Sequence, residues 1–359
     1  MKAKSKDIIL LLGAGASVDA GIPSSPMMIG KIEGLLAQHD WSQFRDLYHQ
    51  IKSGIHYAAG IKGKFNSDVP YNIETLVNTL YELERNEDHP IYPFVAAWNS
   101  RLLAYAGNNL QHLRSFREKI LDALKNWVQL ENPKMAEYYS GLKPLQRELQ
   151  FPLKVFSLNY DLCVEGLVEQ EFRVETGFAA IGESRWEWKR FDETNPEAEL
   201  PEVYLYKMHG SINWKRDNAG NLICVSYSGN IRPDQMQVIF GRDFKLEAAD
   251  PYLFYAFEFR RSTLDARVIV IIGYGFGDEH INKMLTQAMR FDSTKRILVV
   301  GNTPDERSAL KRRDEIAKRL DISPEAISVL TGTAKDFLKQ PGIAGVVLKA
   351  LPIQPVAEF

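Results

Sequence analysis

Five short and nearly continuous apolar runs are spaced along the chain between long amphipathic stretches. They span Asp7–Leu12, Leu153–Leu158, Val203–Met208, Arg267–Ile272 and Arg296–Val300. Apolar runs of this length without alternation are typical of strands that are buried on both faces, as in a parallel sheet. Helical patterns follow the second, fourth and fifth runs. This order predicts an α/β fold with a Rossmann-like, doubly wound parallel sheet.

The stretch between the first two runs shows helical periodicity, with apolar residues such as Leu121, Leu124 and Val128 recurring at helical spacing. We predict helices near residues 27–38, 41–52, 73–86, 92–106, 110–130 and 134–149, and a loop over 60–70. The pattern therefore indicates a large helical insertion between the first two strands. Its apolar stripes either pack onto the sheet and one another or belong to a regulatory surface.

These elements suggest a division of the chain into domains. Residues 1–39 and 151–350 form a sheet-bearing domain, residues 40–150 the helical insertion, and residues 351–359 a tail. Within the sheet-bearing part, the stretches 176–202 and 214–235 are polar, aromatic and rich in turn residues. We expect a small irregular or β-containing insert within 176–235.

The composition narrows the class of protein. The chain has 359 residues, of which 45% are hydrophobic and 25% charged, as in ordinary globular proteins. Its formal net charge of −2 gives no basic excess that would attract nucleic acid. The one local basic cluster, Lys311-Arg312-Arg313, is followed at once by Asp314 and Glu315, which is typical of a solvated helix face.

Cysteine usage and hydropathy indicate a cytoplasmic protein. Cys163 and Cys224 are too few and too far apart for a disulfide framework or a cysteine-based zinc site, and we expect no metal. No apolar stretch approaches the roughly 20 residues that span a bilayer. The run Ile8–Leu12 is too short for a secretory signal and predicts a strand.

A glycine-rich motif, Gly13-Ala14-Gly15-Ala16-Ser17, directly follows the first strand and precedes Gly21-Ile22-Pro23. Glycines let the backbone approach a pyrophosphate, and the start of the next helix offers free N–H groups. The motif departs from the usual dinucleotide fingerprint, which would need glycine at Val18. The alternative is a tight strand–helix turn without a ligand.

Polar or small residues also follow the other strands. Asn159 and Asp161 are suited to a ribose or a water molecule, or to capping the next helix. His209, before a glycine, is either a general base or a structural histidine. The loop Gly273-Tyr274-Gly275 indicates close approach of a ligand, with Asp278 capping the helix after it, and Asn302 could contact a ribose or an adenine. We expect all of them at one edge of the sheet, where such folds bind ligands.

Taken in order, these motifs resemble the sirtuin-like fold, and within it the NAD-hydrolysing branch found in bacterial antiphage defence systems. The resemblance implies that NAD is bound as a substrate and cleaved between nicotinamide and ribose. It implies that Asn159 and His209 are catalytic and that Asp161 contacts the nicotinamide ribose. The other residues that it assigns to NAD binding are Gly13, Ala14, Gly15, Ala16, Ser17, Gly21, Ile22, Pro23, Gly273, Tyr274, Gly275 and Asn302.

Two departures from the protein-deacylase branch bear on the reaction. Deacylases have an aromatic residue and an arginine where this chain has Ser24-Ser25-Pro26, and they usually carry a four-cysteine zinc ribbon. The resemblance therefore favours an NAD⁺ glycohydrolase that releases nicotinamide and ADP-ribose, over a deacylase. A non-catalytic sensor of NAD or ADP-ribose is the other alternative.

The resemblance also implies regulation, because an unrestrained NADase is toxic to its own cell. We expect an off state, a homo-oligomer and a partner from the defence system, such as a HerA-type ATPase. The chain has no P-loop of its own, so an ATPase activity would have to come from a separate protein.

Overall fold

The computed structural model has a seven-stranded parallel sheet at its centre. It describes residues 3–65, 69, 71–85, 100–106, 110–170, 172–179, 184–193, 199–226, 231–239 and 250–352. The strands are β1 (Ile8–Leu12), β2 (Leu153–Ser157), β3 (Val174–Glu175), β4 (Ser184–Arg185), β5 (Val203–Lys207), β6 (Trp214–Arg216), β7 (Leu222–Cys224), β8 (Val268–Ile272), β9 (Arg296–Val300) and β10 (Ile327–Leu330).

The large sheet has the order β10-β9-β8-β1-β2-β5-β3, and every pairing in it is parallel. The chain moves outward from β1 in both directions, so the predicted doubly wound α/β fold is confirmed. All five predicted strands are present. The sequence pattern missed the two edge strands, because β3 has two half-buried residues and β10 has one buried residue out of four.

The helices are α1 (Ser25–Leu35), α2 (His39–Ser42), α3 (Arg45–Ile61), α4 (Ile73–Arg85), α5 (Ser100–Ala106), α6 (Gln111–Val128), α7 (Leu142–Leu149), α8 (Tyr252–Asp265), α9 (Glu279–Phe291), α10 (Glu306–Leu320), α11 (Ala334–Lys339) and α12 (Ile343–Lys349). Alternate residues of the strands point to opposite faces of the sheet. Leu10, Val155 and Val270 pack on one face with the helices before β2 and with α11 and α12. Ile271 and Val299 pack on the other face with α8, α9 and α10.

The helices of the predicted insertion share a core with the sheet. Phe116, Leu124 and Val128 belong to the same buried cluster as Leu10 and Val155. Their apolar stripes therefore pack on the sheet and on one another, which is the first of the two alternatives raised by the sequence. The described helices of this range are thus continuous with the sheet's hydrophobic core.

Two of the predicted helices have different boundaries in the structure, and a third lies partly outside the described residues. The helix predicted over 41–52 is α3, which runs through Gly60 to Ile61 and thus into the predicted loop. The helix predicted over 134–149 is a 3-10 helix, Pro133–Gly141, followed by α7. The break coincides with Gly141, where a Cβ atom would collide with the carbonyl of Leu338. Of the helix predicted over 92–106, residues 92–99 lie outside the described residues, and the remainder is α5.

The predicted insert within 176–235 is not continuous, because β5 of the large sheet lies in it. The flanking pieces supply a small antiparallel sheet in the order β4-β7-β6. Residues 180–183, 194–198 and 227–230 of this range are outside the described part, as are residues 353–359 of the predicted tail. Among the described helices, none has the length and apolar character needed to cross a membrane.

Candidate active site

The carboxyl ends of the central strands meet along one edge of the sheet. Ladder hydrogen bonds continue just past the strands: Leu158 N–H donates to the Leu12 carbonyl and Met208 N–H to the Ser157 carbonyl. Ser157 of β2 is paired with Lys207 of β5. Asn159 and His209 lie two residues beyond these paired positions, so they are at equivalent places after neighbouring strands. The polar and glycine-rich motifs thus follow neighbouring strands, which is the arrangement the sequence predicts.

The glycines after β1 and β8 are required by a contact between the two loops. Gly15 N–H donates to the Gly273 carbonyl at 2.8 Å. A Cβ atom on Gly13 would lie 2.6 Å from the Tyr274 Cα, and one on Gly15 would lie 2.7 Å from the Gly273 oxygen. Gly273 has a φ of 67° and faces the backbone of Ala16. Backbone packing between the two loops therefore accounts for glycine at these three positions, and their contact with a pyrophosphate stays a prediction.

The glycine-rich motif and the residues after it differ from their prediction. Ala14–Ala20 form a 3-10 helix that ends at Gly21 in the left-handed region, and the first α-helix begins only at Ser25. Ile22 and Pro23 are buried, and a Cβ atom on Gly21 would lie 3.2 Å from Met135 Cε. No α-helix start directly follows the loop, and the Ile22 N–H donates to the Ser17 carbonyl at 3.2 Å, which links Gly21-Ile22-Pro23 to the loop.

A cleft of about 600 Å³ lies beside these loops, over the β8 and β9 ends of the sheet. A cavity of this size is typical of sites for small molecules. Its lining includes five residues that the sequence predicted to bind NAD: Gly15, Gly273, Tyr274, Gly275 and Asn302. Two cations on α10, Lys311 and Arg312, also line it. The other predicted ligand residues do not line this cleft.

Asn159 lies at the end of β2 in a buried hydrogen-bond chain that reaches the helical segment. Its Nδ2 donates to Ser17 Oγ at 3.1 Å, and Ser17 Oγ shares a hydrogen bond of 2.9 Å with the Tyr139 hydroxyl. Asn159 is 6% exposed, and its Oδ1 has no hydrogen-bond partner among the residues that the structure describes. Ser17, predicted to bind phosphate, thus uses its side chain to orient Asn159.

His209 lies at the end of β5, 2% exposed and between two carboxylates. Its Nε2 is 3.2 Å from Asp278 Oδ2, and its Nδ1 is 3.8 Å from Glu74 Oε1. Within the described part of the chain, Nδ1 makes no hydrogen bond. Asp278 also caps α9, as the sequence predicts, because its Oδ1 accepts from the backbone N–H of His280. Nε2 of the histidine is therefore held by Asp278, whereas Nδ1 is buried near Glu74 without a hydrogen-bond partner among the described residues.

Asp161 has a local structural role in this conformation. Its Oδ1 accepts from the Cys163 N–H at 3.1 Å, and its carbonyl accepts from the buried Lys207 ammonium. Lys207 also pairs with Glu165 at 2.8 Å, and burial raises the pKa of Glu165 against the opposing effect of that lysine. Burial, followed by the nearby Asp161, raises the pKa of the Cys163 thiol. This cluster supports the turn that carries Asn159.

Sequence reasoning missed Glu74 and Tyr139 entirely and identified Asp278 only as a helix cap. Glu74 is on α4 and Tyr139 on the 3-10 helix before α7, so both come from the predicted insertion. Neither belongs to a local motif. Their contacts with His209 and Ser17 arise from tertiary packing, so no signal in the sequence could have pointed to them.

The site combines an amide oxygen, an imidazole nitrogen and a cleft at one edge of the sheet. Buried polar atoms in proteins almost always have a partner, either in the protein or in bound water. Asn159 Oδ1 and His209 Nδ1 have no hydrogen-bond partner in the described part of the protein, and the two residues follow adjacent strands. Together they can accept hydrogen bonds from hydroxyl groups, and His209 can accept a proton.

Comparison with known proteins finds a match between part of the chain and a family model. Residues 153–323 match the family model of the SIR2-like domain, a segment that includes Asn159, His209 and Asn302 but not Gly13–Pro23 or the helices before β2. No curated protein has a significant match to the chain.

Solved structures of Sir2 proteins align with the chain at low identity. A mutant Sir2 homologue in complex with 2'-O-acetyl ADP ribose is 14% identical, with 98% of this chain and 96% of that chain covered and a TM-score of 0.44. A Sir2 homologue–NAD complex is also 14% identical, with 97% and 91% covered and a TM-score of 0.42. A third structure, described as a basis for the mechanism and regulation of Sir2 enzymes, is 10% identical, with 96% and 93% covered and a TM-score of 0.40.

Proposed function

We propose that this protein is an NAD⁺ glycohydrolase that cleaves the nicotinamide–ribose bond and releases nicotinamide and ADP-ribose. The observation that carries the proposal is the pair of buried atoms Asn159 Oδ1 and His209 Nδ1 at adjacent strand ends, neither of which has a hydrogen-bond partner among the described residues. Leaving a buried acceptor without a partner costs about 1–3 kcal/mol, which a substrate hydroxyl would recover. The similarity of residues 153–323 to the SIR2-like domain and the motif order support NAD as that substrate.

The proposed binding mode uses both the cleft and the carboxyl ends of β2 and β5. The adenosine half occupies the cleft lined by Gly15, Gly275 and Asn302, where Gly275 leaves open space. The nicotinamide ribose extends toward Asn159 and His209. Held in this way, the scissile bond is presented to a water molecule with little further loss of entropy.

In the proposed reaction, water adds to the anomeric carbon as the bond to the nicotinamide nitrogen breaks, and that nitrogen keeps the bonding electrons. Asn159 Oδ1 accepts a hydrogen bond from the ribose or from the water. His209 takes a proton from the same hydroxyl or water and passes it to solvent. NAD⁺ and water are thereby converted to nicotinamide, ADP-ribose and one proton.

Protein deacylation is disfavoured by the segment that follows Pro23. Ser24-Ser25-Pro26 form the cap and first turn of α1, where Ser24 is the N-cap residue. They replace the aromatic residue and the arginine of the deacylase motif. Cys163 and Cys224 are both free thiols, and two cysteines cannot form a four-cysteine zinc ribbon.

We further propose a cytoplasmic role in antiphage defence, in which NAD is depleted and infection aborted. Because such an activity must be restrained, we propose a homo-oligomer whose state is controlled by a partner such as a HerA-type ATPase. The order of the motifs, which resembles that of the defence-associated branch, supports this role. Measuring the mass in solution, alone and with the proteins encoded beside it, followed by NAD consumption of each species, tests it.

The decisive experiment for catalysis is release of nicotinamide by the purified protein. We expect His209→Ala to reduce kcat by about 10²–10⁴-fold, the usual contribution of a general base, and Asn159→Ala to reduce it comparably. His39→Ala is the control, because the His39 side chain is fully exposed. Circular dichroism must show that each variant is folded.

Three outcomes would redirect the assignment. Saturable NAD binding without nicotinamide release indicates the sensor. Turnover that requires an acyl-lysine peptide indicates a deacylase. NAD consumption that survives both substitutions contradicts the roles given to Asn159 and His209.

A further inference from the structure

The two ring nitrogens of His209 face different elements of the fold. Nε2 lies 3.2 Å from Asp278 Oδ2, at the start of α9, and Nδ1 lies 3.8 Å from Glu74 Oε1, on α4. The imidazole is 3% exposed and the Asp278 side chain 6% exposed. A neutral imidazole carries one proton, so the nitrogen that holds it determines which nitrogen is free to accept another.

Asp278 is fixed as an acceptor by its other contacts. Its Oδ1 accepts from the backbone N–H groups of His280 and Ile281 at 2.9 and 3.4 Å, and its own N–H donates to the Tyr274 hydroxyl at 3.1 Å. The start of a helix favours a negative charge, and an ionised carboxylate can only accept hydrogen bonds. Oδ2 therefore requires a donor, and the ring atom beside it is His209 Nε2.

We propose that Asp278 is a positioning residue that holds His209 in the Nε2–H tautomer and leaves Nδ1 as the proton acceptor. This inference rests on the proposed function and specifies which atom of His209 acts in it. When Nδ1 takes a proton, an O–H bond of the ribose or water breaks, an N–H bond forms, and the electron pair stays on oxygen. The resulting imidazolium lies between the carboxylates of Asp278 and Glu74, which stabilise its charge.

The variant Asp278→Asn tests this without removing the helix cap. Asparagine caps helices as well as aspartate does, so its Oδ1 keeps the α9 N–H groups. Its Nδ2 then faces His209 Nε2 and donates, which forces the ring proton onto Nδ1. We expect kcat to fall by about 10²–10⁴-fold with KM changed less than about threefold.

Asp305→Asn is the matched control. Asp305 caps α10 in the same way, with Oδ1 accepting from Ser308 N–H at 2.7 Å, and within the described residues it has no contact with His209. Its kcat should equal that of the wild type. An equal fall in kcat in both variants would mean that helix capping, and not the tautomer, is what Asp278 supplies.

Nitrogen-15 NMR of the imidazole provides a readout that a purely structural role would not change. At alkaline pH, the His209 signals, assigned with His209→Gln, should show a protonated Nε2 in the wild type and a protonated Nδ1 in Asp278→Asn. A wild-type ring protonated at Nδ1, or identical spectra in the two proteins, overturns the proposal. If Asp278→Asn does not fold, Asp278→Ser retains a capping oxygen, and its ring should lose the fixed tautomer.

The kinetic measurement tests the proposed function, and the NMR spectrum tests the tautomer of His209, so either claim can fail without the other. If the wild type consumes no NAD under any condition, the proposed function fails, while the spectrum still decides the tautomer. If NAD is consumed but the ring is protonated at Nδ1, the proposed function stands and the role assigned to Asp278 does not.

Discussion

At the scale of single residues, the glycines of the site have two distinct roles. Gly273 is in the left-handed region, and a Cβ atom there would collide with the backbone of Ala16. Gly275, two residues later, lines the cleft, and a Cβ atom there would meet nothing within 4 Å. The first glycine therefore maintains the contact between two loops, whereas the second borders open space in the cleft.

This difference predicts that alanine lowers the free energy of unfolding at the first position and leaves it nearly unchanged at the second. Gly273→Ala should lower the free energy of unfolding by at least about 2 kcal/mol, because it combines backbone strain with overpacking. Gly275→Ala should leave the free energy of unfolding within about 0.5 kcal/mol of the wild type. Urea denaturation of both variants measures this. Equal stabilities would contradict the loop contact.

At the scale of elements, two parts of the helical segment complete the site. The 3-10 helix Pro133–Gly141 brings Tyr138 to the Ala16 carbonyl and Tyr139 to Ser17 Oγ. The helix α4 brings Glu74 to His209. The sheet therefore carries the proposed catalytic side chains, and the helices determine how these side chains are oriented.

The tyrosine pair gives a test of this division. Tyr139→Phe removes the hydroxyl at the end of the chain through Ser17 to Asn159, whereas Tyr138→Phe removes a hydrogen bond to the backbone only. Both should lose about 1 kcal/mol of stability. We expect kcat for NAD hydrolysis to fall further in Tyr139→Phe, because only this change frees Asn159 to reorient.

Thermal unfolding and steady-state kinetics of the two variants measure both effects. An equal loss of kcat in Tyr138→Phe and Tyr139→Phe would show that the orientation of Asn159 does not depend on the hydrogen-bond chain.

At the scale of the whole molecule, the helical segment and the sheet share one hydrophobic core. Phe116, fully buried on α6, is in the same cluster as Leu10 of β1, Val155 of β2 and Leu298 of β9. A shared core of this kind couples the stability of its parts, because neither can unfold without exposing the other. We therefore expect the described helices within residues 40–150 to unfold together with the sheet.

Cooperative unfolding follows from the shared core. Phe116→Ala should lower the free energy of unfolding by about 3–5 kcal/mol and shift one transition that includes the sheet. Far-ultraviolet circular dichroism and tryptophan fluorescence should trace the same curve, because Trp41 reports on the helical segment and Trp214 on the small sheet. Both tryptophans are buried. Two separate transitions would show an independent helical domain.

The extent of prediction from sequence differs between elements. The five central strands were identified because strands buried on both faces are continuously apolar. The edge strands β3 and β10 were missed, because an edge strand is partly exposed and needs no such run. Asn159, His209 and Asn302 were identified as candidates from one rule, that parallel strands present their carboxyl ends at the same edge.

The sequence by itself determined the parallel α/β sheet and the strand ends that carry the candidate residues, because burial and strand order leave a periodic pattern in the chain. Only the tertiary structure decided that Glu74 approaches His209 and that Tyr139 orients Asn159 through Ser17. It also decided that the glycine-rich loops that follow β1 and β8 pack against each other. These contacts join residues more than 100 positions apart, and packing at such separations leaves no local pattern to detect.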